Sequence, residues 1–419
     1  IDLPPGNYLG VHFLIGAANG HMTLPFTVVY DGDDHPDDVQ LLYVADYSNN
    51  RILVYHRPFA TDTVADFVIG QPDFVTANSG GPATSAPYGF QLPSSVAVNR
   101  RGDLWVLDSG NNRLLRFPKP LTRGDYTPDL VVGQTGFDCT TCNLPNSGGI
   151  SAATIAVSGT AVFGAAIAFD PNGNLWFLDT GNHRVLRFSS AVAEGGQNGP
   201  EADLVLGQLD FSSNVAAAVT TEGQQDRAHL RFPSGVGVDP AGRLFVADSL
   251  DRVLVWEFAF ASGQSANRLV GIYEPPEGQS TPAANDQVFE GPEGIFFVNG
   301  GLGVADTRNH RLMLFDPYDQ WPAESTLFSP RARAVVGQPD FDSGNLNRGQ
   351  PEAAANSLNL PTHAVVAGGE LFVVDSGSHR VLVFPISGLG ANSAATRVLG
   401  QDDFSGSARN LIEGREFNF

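Results

Sequence analysis

The chain has 419 residues, and its 45 acidic and 24 basic residues give a formal net charge of −21. A surface of this sign repels nucleic acid and anionic membranes, and a single lysine, Lys119, cannot form a polybasic patch. The most apolar stretch, residues 155–169, is short and is interrupted by Ser158 and Thr160, so we expect neither a nucleic-acid partner nor membrane insertion.

One sequence unit recurs six times, and each copy contains an aspartate followed by an arginine. The pairs are Asp46 and Arg51, Asp108 and Arg113, Asp179 and Arg184, Asp248 and Arg252, Asp306 and Arg311, and Asp375 and Arg380. The steps between aspartates run from 58 residues (Asp248 to Asp306) to 71 residues (Asp108 to Asp179). Repeats of this length are too long for a solenoid rung and are typical of propeller blades with generous loops.

Each unit contains four short apolar runs, which predicts four antiparallel strands per blade. The fold class is therefore all-β, a six-bladed β-propeller that forms one domain over residues 1–419. The blades are predicted at approximately 22–74, 92–137, 162–211, 232–275, 292–341 and 360–404. Residues 1–21 and 405–419 are predicted to be closing or flanking segments, or parts of a longer precursor.

The second and third strands form a hairpin, as alternation in LWVLD and RVLVF indicates. A hairpin places the aspartate opposite the arginine, so we expect an ion pair in every blade. We interpret these as surface pairs, each contributing about 0–1 kcal/mol, that fix the register of the hairpin.

The fourth strand ends in a repeated Gly-Gln-Pro-Asp-Phe corner, as in the segment from Gly70 to Phe74. The glycine is expected to adopt an unusual backbone angle, and the glutamine to bond loop backbone groups. The fourth unit has Ile272 and Pro275 at the Gln and Phe positions of this corner, and its hairpin is one residue shorter. We expect this blade to differ locally from the others.

The Asp-x-x-Asn-His-Arg hairpins at Asp179 and Asp306 resemble the NHL repeat, and the resemblance covers nearly the whole chain. It implies a six-bladed propeller whose loops on one face form a binding surface. The Gly-Gln-Pro-Asp-Phe corner resembles a bacterial subgroup of exported or cell-surface proteins, which implies an extracellular location.

Two candidate features lie in loops. The acidic loop at 31–38 offers Asp31, Asp33 and Asp34 as weak calcium ligands, although a solvated turn explains it better. The two cysteines, Cys139 and Cys142, form a lone CxxC that we interpret as a local disulfide or two unpaired thiols. No cofactor is expected apart from a structural calcium.

Histidines recur at His183, His310 and His379, just before the hairpin arginine, and their positions in different blades prevent them from sharing a metal. Enzymes that resemble NHL propellers have metal ligands near the prolines that open the inner strands. At these positions this chain has Glu293 and, one residue later than expected, His363. Neither has an assured partner. We predict both as ligand-binding residues at the channel mouth and predict no catalytic residue.

The sequence favours a non-enzymatic scaffold, exported or on the cell surface, that binds a protein or glycan. Its variable surface would come from the insertions at 76–91, 139–164, 212–230 and 342–360. Two alternatives remain open: a metal-dependent hydrolase or lyase with its site at the central channel, and a structural subunit that self-assembles outside the cell.

Overall fold

The computed structural model describes residues 16–18, 21–22, 26–30, 40–56, 65–80, 89–119, 126–137, 149–157, 166–258 and 260–407. Within these residues, six sheets follow one another along the chain, each made of four consecutive antiparallel strands. The predicted six-bladed β-propeller is confirmed.

In every blade the chain runs from the inner strand to the outer strand in order. The strands are Phe26–Tyr30, Gln40–Asp46, Arg51–His56 and Phe67–Ile69 in blade 1; Pro93–Val98, Leu104–Asp108, Arg113–Phe117 and Leu130–Val132 in blade 2; Ile167–Phe169, Leu175–Asp179, Arg184–Phe188 and Leu204–Leu206 in blade 3; Pro233–Val238, Leu244–Asp248, Arg252–Trp256 and Arg268–Val270 in blade 4; Pro292–Val298, Gly301–Asp306, Arg311–Leu314 and Ala334–Val336 in blade 5; and Pro361–Ala367, Glu370–Asp375, Arg380–Pro385 and Arg397–Leu399 in blade 6.

Few other elements are present in the described part of the chain. Short α-helices are found at Ser190–Gly195 and Thr221–Gln224, and 3₁₀ turns at Tyr47–Asn49, Ser109–Asn111, Thr180–Asn182, Thr307–Asn309, Tyr318–Gln320, Leu346–Gly349 and Ser376–Ser378. No helix among these is long and apolar enough to cross a membrane. A two-stranded ladder, Gly16–Ala18 with His21–Met22, contacts the Ser376–Ser378 turn of blade 6.

Neighbouring inner strands approach one another closely around the axis. A Cβ atom on Gly294 would come within 2.6 Å of the Cα and the Nδ1 atom of His363 in the next blade. A side chain at this position would therefore collide with blade 6. The small residues of the inner strands are explained by this crowding, because the six strands converge where the blades are narrowest.

The core consists of apolar side chains packed between adjacent blades. Trp105, Trp176 and Trp256 are fully buried within it. One hydrophobic cluster contains Tyr43 of blade 1 together with Phe372 of blade 6, so the first and last blades share a core. Closure of the ring removes free blade faces that would otherwise expose apolar surface.

Candidate functional site

The connections from each outer strand to the next inner strand lie at one end of the propeller, together with the hairpin turns. This follows from the antiparallel order of four strands in every blade. We call it the insertion end; its connections span residues 70–92, 133–166, 207–232, 271–291 and 337–360. The opposite end, which we call the turn end, carries the tight connections between inner and second strands in blades 2 to 6, together with the connections from third to outer strands.

All six Asp–Arg hairpin pairs are ion pairs in the structure, with shortest N···O distances of 2.6 to 2.9 Å. Every one of these side chains has zero exposure. The interpretation of these pairs as surface pairs is therefore wrong. Loop segments cover each pair, and a buried pair of charges requires hydrogen bonds to every remaining donor and acceptor.

Blade 3 shows how the hydrogen bonds of the pair are arranged. The Arg184 guanidinium donates through Nε to Oδ2 of Asp179 at 2.6 Å, and Asn182 donates to the same oxygen at 2.8 Å. The other carboxylate oxygen accepts from the backbone N–H of Ala156 at 2.7 Å. The remaining arginine nitrogens donate to backbone carbonyls, including that of Phe211 at 2.6 Å. One arginine thus joins its hairpin turn, the insertion before it and the Gly-Gln-x-x-Phe corner after it.

Blade 4 departs from this arrangement, as its sequence predicts. The Arg252 guanidinium donates to the carbonyls of Gly223, Gln224 and Asp226, at 2.8, 2.9 and 2.5 Å, which lie in and just after the helix of the preceding insertion. Its corner lacks the glutamine and phenylalanine found elsewhere. Within the described residues, the insertion at 207–232 accepts four hydrogen bonds from Arg252, whereas the preceding insertions of blades 2, 3, 5 and 6 accept one or two from their own arginines.

The residue before each hairpin arginine has left-handed backbone geometry, with φ between 50° and 58°. Asn, Asp and His tolerate this conformation better than most residues. In five blades its side chain accepts an N–H from the connection that leads to the next inner strand: Asn50 from Leu92, Asn112 from Val157, His183 from Phe232, Asp251 from Gly291 and His310 from Leu360. Burial lowers the pKa of His183 and His310, which favours the neutral imidazole that can accept. His183 and His310 therefore connect neighbouring blades.

The two ligand candidates near the axis lie on adjacent inner strands, Glu293 in blade 5 and His363 in blade 6. Glu293 is half-buried, but its Oε2 atom is inaccessible to solvent and has no hydrogen-bond partner. Burial raises the pKa of Glu293 to about 8, and the nearby Arg308 guanidinium opposes this only in part. The carboxyl is therefore mainly protonated at neutral pH. His363 is 2% exposed, and its ring lies edge-on to Phe296 with centroids 6.5 Å apart.

Among the described residues, no group of three or more His, Cys, Asp or Glu side chains could hold a metal ion. The calcium candidates Asp31, Asp33 and Asp34 and the cysteines Cys139 and Cys142 lie outside the described residues.

Exposed apolar side chains are concentrated at the insertion end. Eight large ones are exposed in the described part of the chain, and six of them lie on the outer-to-inner connections: Val75, Leu209, Val215, Val219, Phe232 and Leu346. Leu209, Val215 and Val219 share one connection and are 74%, 57% and 71% exposed. We call these three residues the blade 3 patch.

The patch is held by a fixed backbone. Gln208 and Val215 exchange two hydrogen bonds, of 2.8 and 2.9 Å, between the glutamine amide and the valine backbone. Thr220 caps the following short helix by accepting from the N–H of Gly223 at 3.1 Å. The sequence indicated variable surface in this connection but did not predict an apolar patch. The available signal was Leu209, an apolar residue at the corner position that Pro72 and Pro339 occupy in blades 1 and 5.

The chain matches one family model over a short range and resembles solved structures in its fold. Residues 90–117 match the model of the NHL repeat, and they include the first three strands of blade 2. No curated protein matches the chain.

Solved structures with a similar fold include streptogramin B lyase, with 11% identity over 91% of this chain and 81% of that chain and a TM-score of 0.41. Two structures of virginiamycin B lyase from Staphylococcus aureus are 10% identical, each with a TM-score of 0.40. The catalytically inactive variant with quinupristin covers 89% of this chain and 94% of that chain, and the selenomethionine form 88% and 95%. These values are too low to support a shared activity.

Proposed function

We propose that the protein is a binding scaffold that presents its insertion end to a protein partner. The observation that carries this proposal is the concentration of exposed apolar side chains on the outer-to-inner connections. Large apolar side chains exposed together on one connection indicate a candidate interaction site, because leaving them in water costs free energy. The buried Asp–Arg pairs favour this role, since they attach the ends of the insertions to the rigid blades.

The chemistry of the blade 3 patch favours a protein over a glycan. Its three side chains are aliphatic, whereas sugar rings stack best on exposed aromatic rings. A formal net charge of −21 adds a preference for a partner with a basic surface, because opposite charges accelerate encounter. The partner we infer is therefore a protein with an apolar contact region surrounded by basic residues.

The test replaces Leu209, Val215 and Val219 by serine. A partner is first isolated with the wild-type protein from its native surroundings, and its Kd is then measured with purified components by calorimetry. We expect the triple variant to weaken binding at least about tenfold, since loss of roughly 1.4 kcal/mol of contact produces that change. Unfolding temperatures should stay near that of the wild type, because all three side chains are exposed.

Phe258 supplies the matched control. It is 58% exposed and lies at the turn end, so Phe258→Ser should leave the Kd unchanged. An unchanged Kd for the triple variant, or a loss confined to Phe258→Ser, contradicts the proposal. A partner that proves to be a second copy of this chain, detected by sedimentation, would instead favour the self-assembly alternative.

We further propose an extracellular location, which the resemblance of the Gly-Gln-Pro-Asp-Phe corners to exported proteins supports. In an oxidising compartment Cys139 and Cys142 are expected to form a disulfide. Mass spectrometry after alkylation of native protein under non-reducing conditions measures this directly. Full alkylation of both thiols would count against export.

A further inference from the structure

A cavity of about 610 Å³ lies on the propeller axis among the inner strands. Its described lining comes from blades 2 to 6 and lies mainly where the inner strands end, so the cavity opens toward the turn end. It is therefore distinct from the blade 3 patch at the insertion end. Small-molecule sites in proteins typically enclose about 300–1,000 Å³, which includes this value.

The described wall of the cavity is mainly apolar. The lining includes Val98, Ala168, Val236, Val238, Ile295 and Val366, which belong to five different blades. Val238 and Val366 are half-buried, although both lie on inner strands at the centre of the molecule. An apolar surface of this kind binds ligands by excluding water, without preference for a charged group.

The charged groups in the described part of the mouth already have protein partners. Asp170 accepts hydrogen bonds from the backbone N–H groups of Asn172 and Asn174, the side chain of Asn174 and the indole of Trp176. Asp170 is therefore saturated without a ligand.

The other two charged residues of the described lining, Asp239 and Arg100, are ion-paired. The carboxylate of Asp239 accepts from the backbone and guanidinium of Arg243, at 2.8 and 3.0 Å. The Nε of Arg100 donates to Glu194 at 2.5 Å. Within the described lining, a charged ligand would lose its hydration and could gain a counter-charge only by competing with an existing ion pair, and that loss is costly.

We propose that the axial cavity binds an uncharged, predominantly apolar small molecule. The ligand enters from the turn end and lies against the valine and isoleucine side chains of the inner strands. Its binding is independent of the protein partner at the insertion end, because the two sites share no residue.

Two probes with the same aromatic skeleton test this. N-phenyl-1-naphthylamine is neutral, and 8-anilinonaphthalene-1-sulfonate carries an added sulfonate. Fluorescence titration of the full chain should give one site per molecule for the neutral probe and at least about tenfold weaker binding of the sulfonate. Equal or tighter binding of the sulfonate would overturn the proposal.

Substitutions locate the probe. Val238→Trp and Val366→Trp each place a large side chain in the axial cavity and should weaken binding of the neutral probe at least about tenfold. Val75→Trp, the same change at a position of the insertion end that is 69% exposed and lies outside the blade 3 patch, should leave it unchanged. Circular dichroism and thermal unfolding establish that each variant is folded. Because two positions are used to fill the cavity, the test can still be made if one of the two variants does not fold.

The remaining variants separate the two proposals. The triple serine variant of the blade 3 patch should retain the neutral probe, and Val238→Trp should retain the protein partner. If the triple serine variant no longer binds the neutral probe while both filling variants still bind it, the probe binds at the exposed patch. That result would refute the axial site.

Discussion

Replacing Arg184 by methionine is expected to destabilise the propeller by about 3–5 kcal/mol. The substitution leaves the Asp179 carboxylate at zero exposure without its counter-charge. It also removes the donors to the carbonyl of Phe211 and to those of Ser151 and Thr154, both at 2.9 Å. Urea unfolding followed by tryptophan fluorescence gives the free energy of unfolding.

Arg187 lies on the same strand and provides the control. It pairs with Asp203 at 3.0 Å, but the two side chains are 23% and 40% exposed. Because water screens such a pair, Arg187→Met should cost no more than about 1 kcal/mol. If Arg184→Met does not fold, Arg184→Lys retains the charge without the planar fork and should show an intermediate loss. Equal losses of stability at positions 184 and 187 would show that burial of the ion pair does not determine its contribution to the free energy of unfolding.

Replacing Glu293 by glutamine is expected to change how stability depends on pH. The folded protein holds the proton of Glu293 up to a pKa of about 8, whereas the unfolded chain releases it near the usual 4.5. Between these values the folded state binds more protons, so the wild type loses stability as pH rises. Below this window both states are protonated, and above it both are ionised.

The amide of Glu293→Gln has the shape of the neutral carboxyl and does not titrate. The variant should match the wild type near pH 4.5 and exceed its free energy of unfolding by about 2–4 kcal/mol near pH 9; the full shift is discounted because the residue is half-buried. Urea unfolding at a series of pH values measures this difference.

The exposed Glu290, three residues earlier, is the control: the free energy of unfolding of Glu290→Gln should follow that of the wild type at every pH. Parallel curves for Glu293→Gln and the wild type would contradict the assignment of a buried, protonated carboxyl.

Several local features could be predicted from sequence because they depend on residues close together in the chain. The spacing of Asp46 and Arg51 is enough to place them opposite one another in a hairpin, and the structure pairs them in register. The corner glycines, such as Gly70 with φ of 90°, were expected to have unusual backbone angles and do. The missing Gln and Phe of blade 4 correctly indicated a different corner.

Burial of the ion pairs could not be predicted in the same way. The covering atoms of Arg184 come from Ser151, Thr154 and Phe211, which are 27 to 33 residues distant. Sequence reasoning therefore treated a buried, fully bonded pair as a surface pair. The roles of His183 and His310 were similarly hidden, because their hydrogen-bond partners lie in the next blade, 49 and 50 residues later.

The sequence by itself determined the six-bladed propeller, since a repeated strand pattern has a fixed period and each blade forms from consecutive residues. Tertiary structure alone decided which polar groups are buried, which apolar side chains of the insertions remain in water, and that the axis encloses a cavity. These properties depend on how closely the blades approach one another. That distance is set by packing between units far apart in the chain, and no local sequence pattern predicts it.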